Sequence, residues 1–322
     1  MYIWIAFFLM IFLFLALDLG VFNKKAHEIT YKEASRWTAF WITFSMMFSL
    51  VIYYIYDKNL LNYKVATDPF DQTVKFLTGY FVELTLSVDN IFVIALIFKS
   101  FKIPLKYQHR VLFWGILGAL IARGVMIFLG VFIIQKFSWM IYVFGVFLLY
   151  TAYKMMTDND EAEFDPKNIK FIRWIRKILP VSKHLEGQKF LVKKMGIWIA
   201  TPLLLVLVLI ELTDVLFALD SIPAILAITT DAFIVFSSNI LAILGLRSMY
   251  FFLANMMVNF AYLKQSLIVI LVFVAIKLLI SHHVIIPPLL SLGVIFTSLI
   301  AGVYFSVRQK KKIRKSESGD AA

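Results

Sequence analysis

Nine stretches of predominantly apolar residues run through this chain, at about 2–22, 38–56, 76–98, 109–134, 138–156, 198–227, 232–254, 264–281 and 285–307. A helix of about 20 such residues crosses a bilayer. In hydrocarbon the backbone must satisfy its own hydrogen bonds, which a helix does and an open strand does not. The pattern therefore predicts an all-α polytopic membrane protein of about nine transmembrane helices. Composition agrees: 61% of residues are hydrophobic and 16% charged, against about 45–50% and 25% in soluble domains. The same figures exclude disorder, collagen and coiled coil. The chain has no cysteine, so disulfides, thiolate metal ligands and thiol redox chemistry are closed to it. Residues 1–307 are expected to form one transmembrane unit, and 308–322 a basic tail. The first span has no basic start or small-residue cleavage site, and is expected to remain as a helix.

The loops set the orientation. With the N-terminus outside, twenty-five of the 32 Lys and Arg residues fall on the cytoplasmic side and four on the outer side, with Arg123, Arg247 and Lys277 inside spans. Basic residues accumulate on the cytoplasmic face, so the C-terminus is expected inside. This also accounts for the net charge of +12 without a nucleic-acid partner. The long loop at 157–197 carries an acidic run, Asp158 to Asp165, and then a basic stretch; its spacing does not match an EF-hand. A solvated charged loop is its simplest reading.

Spans three and six share a motif. Leu86-Ser87-Val88-Asp89-Asn90-Ile91 in one aligns with Phe217-Ala218-Leu219-Asp220-Ser221-Ile222 in the other. Six residues before each aspartate stands another carboxylate, Glu83 and Asp214, and the following helix of each half carries one arginine, Arg123 and Arg247. Spans 3–5 and 6–8 then form two three-helix units entering from opposite faces. Such inverted repeats are a common plan for secondary transporters, with the binding site near the midplane on interrupted helices. Pro223, three residues after Asp220, is expected to break span six there. In unbroken helices Asp89 and Asp220 lie about 120° round from Glu83 and Asp214, so a break would help all four converge.

Six carboxylates fall inside the spans: Asp18, Glu83, Asp89, Glu211, Asp214 and Asp220. Each ionised group at mid-bilayer costs roughly 2.5–3.5 kcal/mol on insertion scales. They must face a polar interior, pair with cations or bind protons. Arg123, Arg247 and Lys277 are candidate charge partners. The remaining excess of negative charge, with Asn90 and Ser221 beside it, is a hard oxygen donor set that suits Mn²⁺, Mg²⁺ or Ca²⁺ rather than Cu⁺ or Zn²⁺. Glu211 reads either as a ligand or as a partner for an arginine. Asp18 reads more simply as an end-of-span group, and His282 and His283 as ordinary loop histidines. No hydrolase elbow, phosphate loop or dinucleotide fingerprint is present, so no enzyme activity or bound cofactor is expected.

At these residues the sequence resembles the TerC family of bacterial integral membrane proteins, and in particular its Alx-like branch. The likeness runs through Ala16-Leu17-Asp18-Leu19-Gly20, Leu86-Ser87-Val88-Asp89-Asn90, the segment from Tyr107 to Gly118, Asp220-Ser221-Ile222-Pro223-Ala224, and the segment from Ser238 to Arg247. The resemblance implies a seven- or nine-helix transporter fold related to LysE-type exporters, in the bacterial cytoplasmic membrane. It also implies Mn²⁺ export, with Glu83, Asp89, Asn90, Glu211, Asp214, Asp220 and Ser221 as the metal site. A transporter of another ion, such as Ca²⁺ or a tellurium species, and a non-transport assembly or stress role through the 157–197 loop, remain the alternatives.

Overall fold

The computed structural model describes residues 2–17, 30–61, 67–137, 139–157, 180–182, 185–194, 197–254, 263–280, 284 and 286–319. Asp18, the acidic run at 158–165 and the histidines at 282 and 283 lie outside the described residues, and so does the side chain of Asp89 within its helix. The described residues form nine helices: α1 (Tyr2–Leu17), α2 (Tyr31–Asp57), α3 (Pro69–Ser100), α4 (Leu105–Lys136), α5 (Met140–Thr157), α6 (Pro202–Leu226), α7 (Ala232–Ala254), α8 (Leu263–Ile280) and α9 (Pro288–Gly319). One short antiparallel hairpin, β1 (Leu191–Lys194) with β2 (Ile197–Ala200), precedes α6. Seven of the helices are long and apolar enough to cross a membrane; α1 and α8 contribute shorter apolar runs.

All nine expected spans are helices, but their ends lie elsewhere. α2 begins seven residues earlier than its apolar run because Thr30 caps it, accepting from the Glu33 amide at 3.4 Å. α3 likewise begins at Pro69, with Asp68 accepting from the Phe70 amide at 3.1 Å. Polar first turns such as Tyr31-Lys32-Glu33 make sound helix outside the hydrocarbon, where hydropathy gives no signal. At 32 residues each, α3 and α4 are roughly 48 Å long. They therefore project beyond a hydrocarbon layer of about 30 Å. Span six is shorter than expected. Ile197-Trp198-Ile199-Ala200 is apolar, yet it pairs with Leu191–Lys194 as β2, and the helix starts only at Pro202.

The expected break at Pro223 is also absent: α6 continues through it to Leu226. Proline here falls in the last turn, where few residues remain to be disrupted. It withholds the N–H that would bond the Leu219 carbonyl, but only Ala224 to Leu226 follow it in the helix.

α7 is the centre of the bundle. It is buried along almost its whole length and packs on α2, α3 and α4. Rings from α1 close its remaining side, with Trp4 and Phe7 lying 5.2 and 5.6 Å from Phe233. Small residues permit the closest approach: a methyl group on Gly79 of α3 would stand 2.8 Å from Ser238 Oγ of α7. Elsewhere α4 packs on α6, α3 on α6, and α5 on α8, with lesser contacts of α5 to α6 and α3 to α8. The outer faces carry the exposed apolar side chains, among them Ile121, Phe128, Leu50 and Tyr150. In water such a surface would drive association; facing lipid tails it is the expected finish.

Candidate functional site

Three helices bring their charges to one point near mid-length. Asp214 has twelve residues of α6 on either side. Glu83 and Arg123 lie within three residues of the midpoints of α3 and α4. All three are buried, with Glu83 and Arg123 only 1% exposed. The Arg123 guanidinium forks onto Asp214, donating from Nε to Oδ2 at 3.0 Å and from Nη2 to Oδ1 at 2.7 Å. Its Nη1 donates to Glu83 Oε1. This planar, bidentate recognition is what arginine offers and lysine does not.

Two asparagines complete the shell. Asn90 Nδ2 on α3 donates to Asp214 Oδ1 at 2.9 Å, and Asn239 Nδ2 on α7 donates to Glu83 Oε2 at 2.8 Å. Each carboxylate therefore holds one asparagine and shares one arginine. Both asparagine carbonyl oxygens are buried without a partner, as are the hydroxyls of Ser87 and Ser221. Buried polar atoms are nearly always satisfied, so the orphaned oxygens of Asn90 and Asn239, each on an amide whose nitrogen holds a core carboxylate, mark a place where something else supplies the contact. Beside Asn90 and Asp214 lies a cavity of about 10 Å³, closed by apolar groups that include Ile94, Leu112 and Leu246. That is room for about one water-sized occupant.

The remaining expected residues sit apart from this cluster. Glu211, one turn before Asp214, lies against α4 at Gly118, where any methyl group would overlap its carboxylate. Asp220 does not join Glu83 and Asp214. With α6 unbroken it points elsewhere and accepts from Thr151 Oγ1 on α5 at 3.1 Å. Among the described residues Arg247 Nη1 lies 3.1 Å from His109 Nε2, near the start of α4, and not on Glu83 or Asp214. Lys277 donates to Ser291 Oγ on α9 at 2.8 Å rather than to a core carboxylate. Among the described residues, no three His, Cys, Asp or Glu side chains gather as a ready-made metal cluster.

Asn239 is the residue that sequence reasoning missed. Its signal was present: Ser237-Ser238-Asn239 is a polar triplet inside an otherwise apolar span, and polar groups at that depth are costly unless used. The repeat alignment drew attention to carboxylates and arginines, and an amide in the second half has no counterpart in it.

Comparison with known proteins agrees with the architecture. The chain is 44% identical over 316 residues to an uncharacterized membrane protein of Myxococcus xanthus, covering 98% of this chain and 95% of the relative. It is 44% identical over 307 residues to an uncharacterized membrane protein of Rickettsia bellii, covering 95% and 97%. It is 44% identical over 300 residues, 92% of each chain, to an Escherichia coli K12 protein that carries the name "Putative membrane-bound redox modulator Alx". No solved structure matches it. The family model for integral membrane proteins of the TerC type matches residues 69–314, which span α3 to α9 with every residue of the charged cluster, and the chain belongs to the TerC family.

Proposed function

We propose that the protein exports divalent metal ions across the bacterial cytoplasmic membrane, with Mn²⁺ as its main cargo. The observation that carries this reading is the pair of buried, unpartnered amide oxygens on Asn90 and Asn239 beside the Asp214 and Glu83 carboxylates that their nitrogens hold, with the unpartnered Ser87 hydroxyl one turn along α3 from Glu83. Carboxylate, amide and hydroxyl oxygens are the ligands of hard divalent ions. The formal charges support a 2+ cargo. Among the described side chains, Glu83 and Asp214 against Arg123 leave one negative charge, and Glu211 one turn away adds a second when ionised, which one divalent ion cancels and one monovalent ion does not. The redox title of the Escherichia coli relative finds no thiol in this chain to act through.

The packing also supports an inverted repeat of α3–α5 and α6–α8. Exchanging the two triplets maps the larger partnerships between them onto one another: α3 on α7 becomes α6 on α4, α5 on α6 becomes α8 on α3, and α3–α6, α4–α7 and α5–α8 map onto themselves, while the slight α4–α5 and α6–α8 contacts have no counterpart of that size. With the N-terminus outside, the small cavity lies on the cytoplasmic side of Asp214. It serves there as the entry for an ion leaving the cell, and proton exchange on the carboxylates is the proposed drive.

Whole-cell metal content, read by mass spectrometry in a host lacking its own Mn²⁺ exporter, tests the proposal. The wild type lowers cellular Mn while Asp214→Asn and Glu83→Gln, expressed at equal levels, do not. Unchanged Mn with the wild-type protein in the membrane would sink the reading.

A further inference from the structure

We propose that Arg123 is a tethered cation seated in the metal position, and that cargo enters only as its guanidinium shifts from Glu83 and Asp214 to Glu211. This rests on the metal-export reading and adds the event that opens the site.

All four carboxylate oxygens of Glu83 and Asp214 are already engaged, three of them by Arg123 and Glu83 Oε2 by Asn239. Only Asp214 Oδ1 holds two donors, adding Asn90 to the guanidinium. Beside those carboxylates the amide oxygens of Asn90 and Asn239 are without partners, and so is the Ser87 hydroxyl one turn from Glu83. A divalent ion therefore finds neutral ligands waiting and charged ligands taken. It cannot share the carboxylates with a guanidinium at this range, because the two cations would repel across a buried, weakly screening interior. Nor can the guanidinium withdraw into apolar surroundings unpaired. It needs another anion within reach.

Glu211 meets that need. It makes no hydrogen bond or ion pair among the described residues. It lies on the same face of α6 as Asp214, three residues earlier, roughly one turn or 5 Å along the axis. It also packs against Gly118 on α4, the helix that carries Arg123. Side chains on a helix lean toward its N-terminus, so Arg123 leans toward Gly118 and the carboxylate above it. The missing side chain at Gly118 makes the lodging for Glu211. A one-turn shift then exchanges an internal ion pair for another and leaves Glu83 and Asp214 to the metal. A monovalent ion gains too little from the two freed carboxylates to drive the shift, which gives a physical basis for selecting divalent cargo.

Mn²⁺ titration calorimetry on the purified full chain in detergent tests the exchange. If the competent state is a minor population, wild-type affinity is reduced by that fraction, and removing the tether restores it, an expected gain of about tenfold or more. Arg123→Ala should bind Mn²⁺ tighter by that factor, and millimolar methylguanidinium should abolish the gain while equal NaCl does not. Glu211→Gln should weaken binding in the wild type but leave it unchanged in the Arg123→Ala background, because the residue acts through the arginine. If Arg123→Ala does not fold, Arg123→Lys keeps the charge without the bidentate fork and should give a smaller gain. Binding by the wild type that is not strengthened by either substitution overturns the tethered cation and leaves the metal reading standing. Equal weakening by Glu211→Gln in both backgrounds makes Glu211 a ligand and overturns the shift. Absence of binding by every form, wild type included, overturns both readings.

Discussion

The amide of Asn239 shows how much one neutral residue can hold in a charged core. It donates to Glu83 Oε2 and keeps its own carbonyl oxygen free in the interior. Asn239→Ala leaves that carboxylate oxygen without a donor, at a cost of about 1–3 kcal/mol. The variant should melt lower in detergent and lose Mn²⁺ export; an unchanged melting temperature would mean that water replaces the amide. Gly118→Ala acts from the opposite side. Its methyl group would meet only the far end of the flexible Glu211 side chain, so the carboxylate must leave its lodging against α4 while the packing there is little strained. At this scale the sequence was partly legible. Glu83, Asn90, Asp214 and Arg123 were readable from the repeat and do meet. Arg247 and Asp220 satisfied the same pattern and do not join them, because equal spacing along two helices fixes phase and depth but not which neighbour each face meets.

Among the helices, α7 and α4 have contrasting environments. α7 is enclosed on all sides, with Ile240 fully buried, while Phe128 on α4 is 73% exposed toward lipid. Ile240→Ala should cost about 2–5 kcal/mol, and Phe128→Ala far less, since lipid fills what the ring vacates. Thermal unfolding of the two variants side by side checks the contrast, and similar losses would contradict it. The apolar pattern revealed each helix but not its ends or its surroundings. Capped polar turns extend α2 and α3 beyond the hydrophobic runs, and the hairpin takes residues that read as the start of α6. The membrane-crossing stretch of the enclosed α7 is less apolar than that of α4, so hydropathy does not report burial: in a membrane buried and lipid-facing surfaces are both apolar.

For the whole molecule, the distribution of basic residues predicts an outer N-terminus and an inner C-terminus at the end of α9. A C-terminal green fluorescent protein fusion should fluoresce and a C-terminal alkaline phosphatase fusion should be inactive; the reverse pair would invert the entry and exit sides proposed for the ion. The helical spans were the most legible level, since they follow from the cost of placing polar groups in hydrocarbon.

The enclosure of α7 also orders events at the ribosome. Every helix that walls it in, α1 to α4, is made before it. Chains emerge N-terminus first, so these helices must stand in the membrane around an unfilled slot until residue 232 and beyond arrive. During that interval Glu83 lacks Asn239, its partner on α7, and Gly79 faces lipid or another nascent helix in place of Ser238. The early half of the molecule is thus a mould awaiting its casting, and a stalled chain that ends before α7 should be the form most readily handed to membrane proteases.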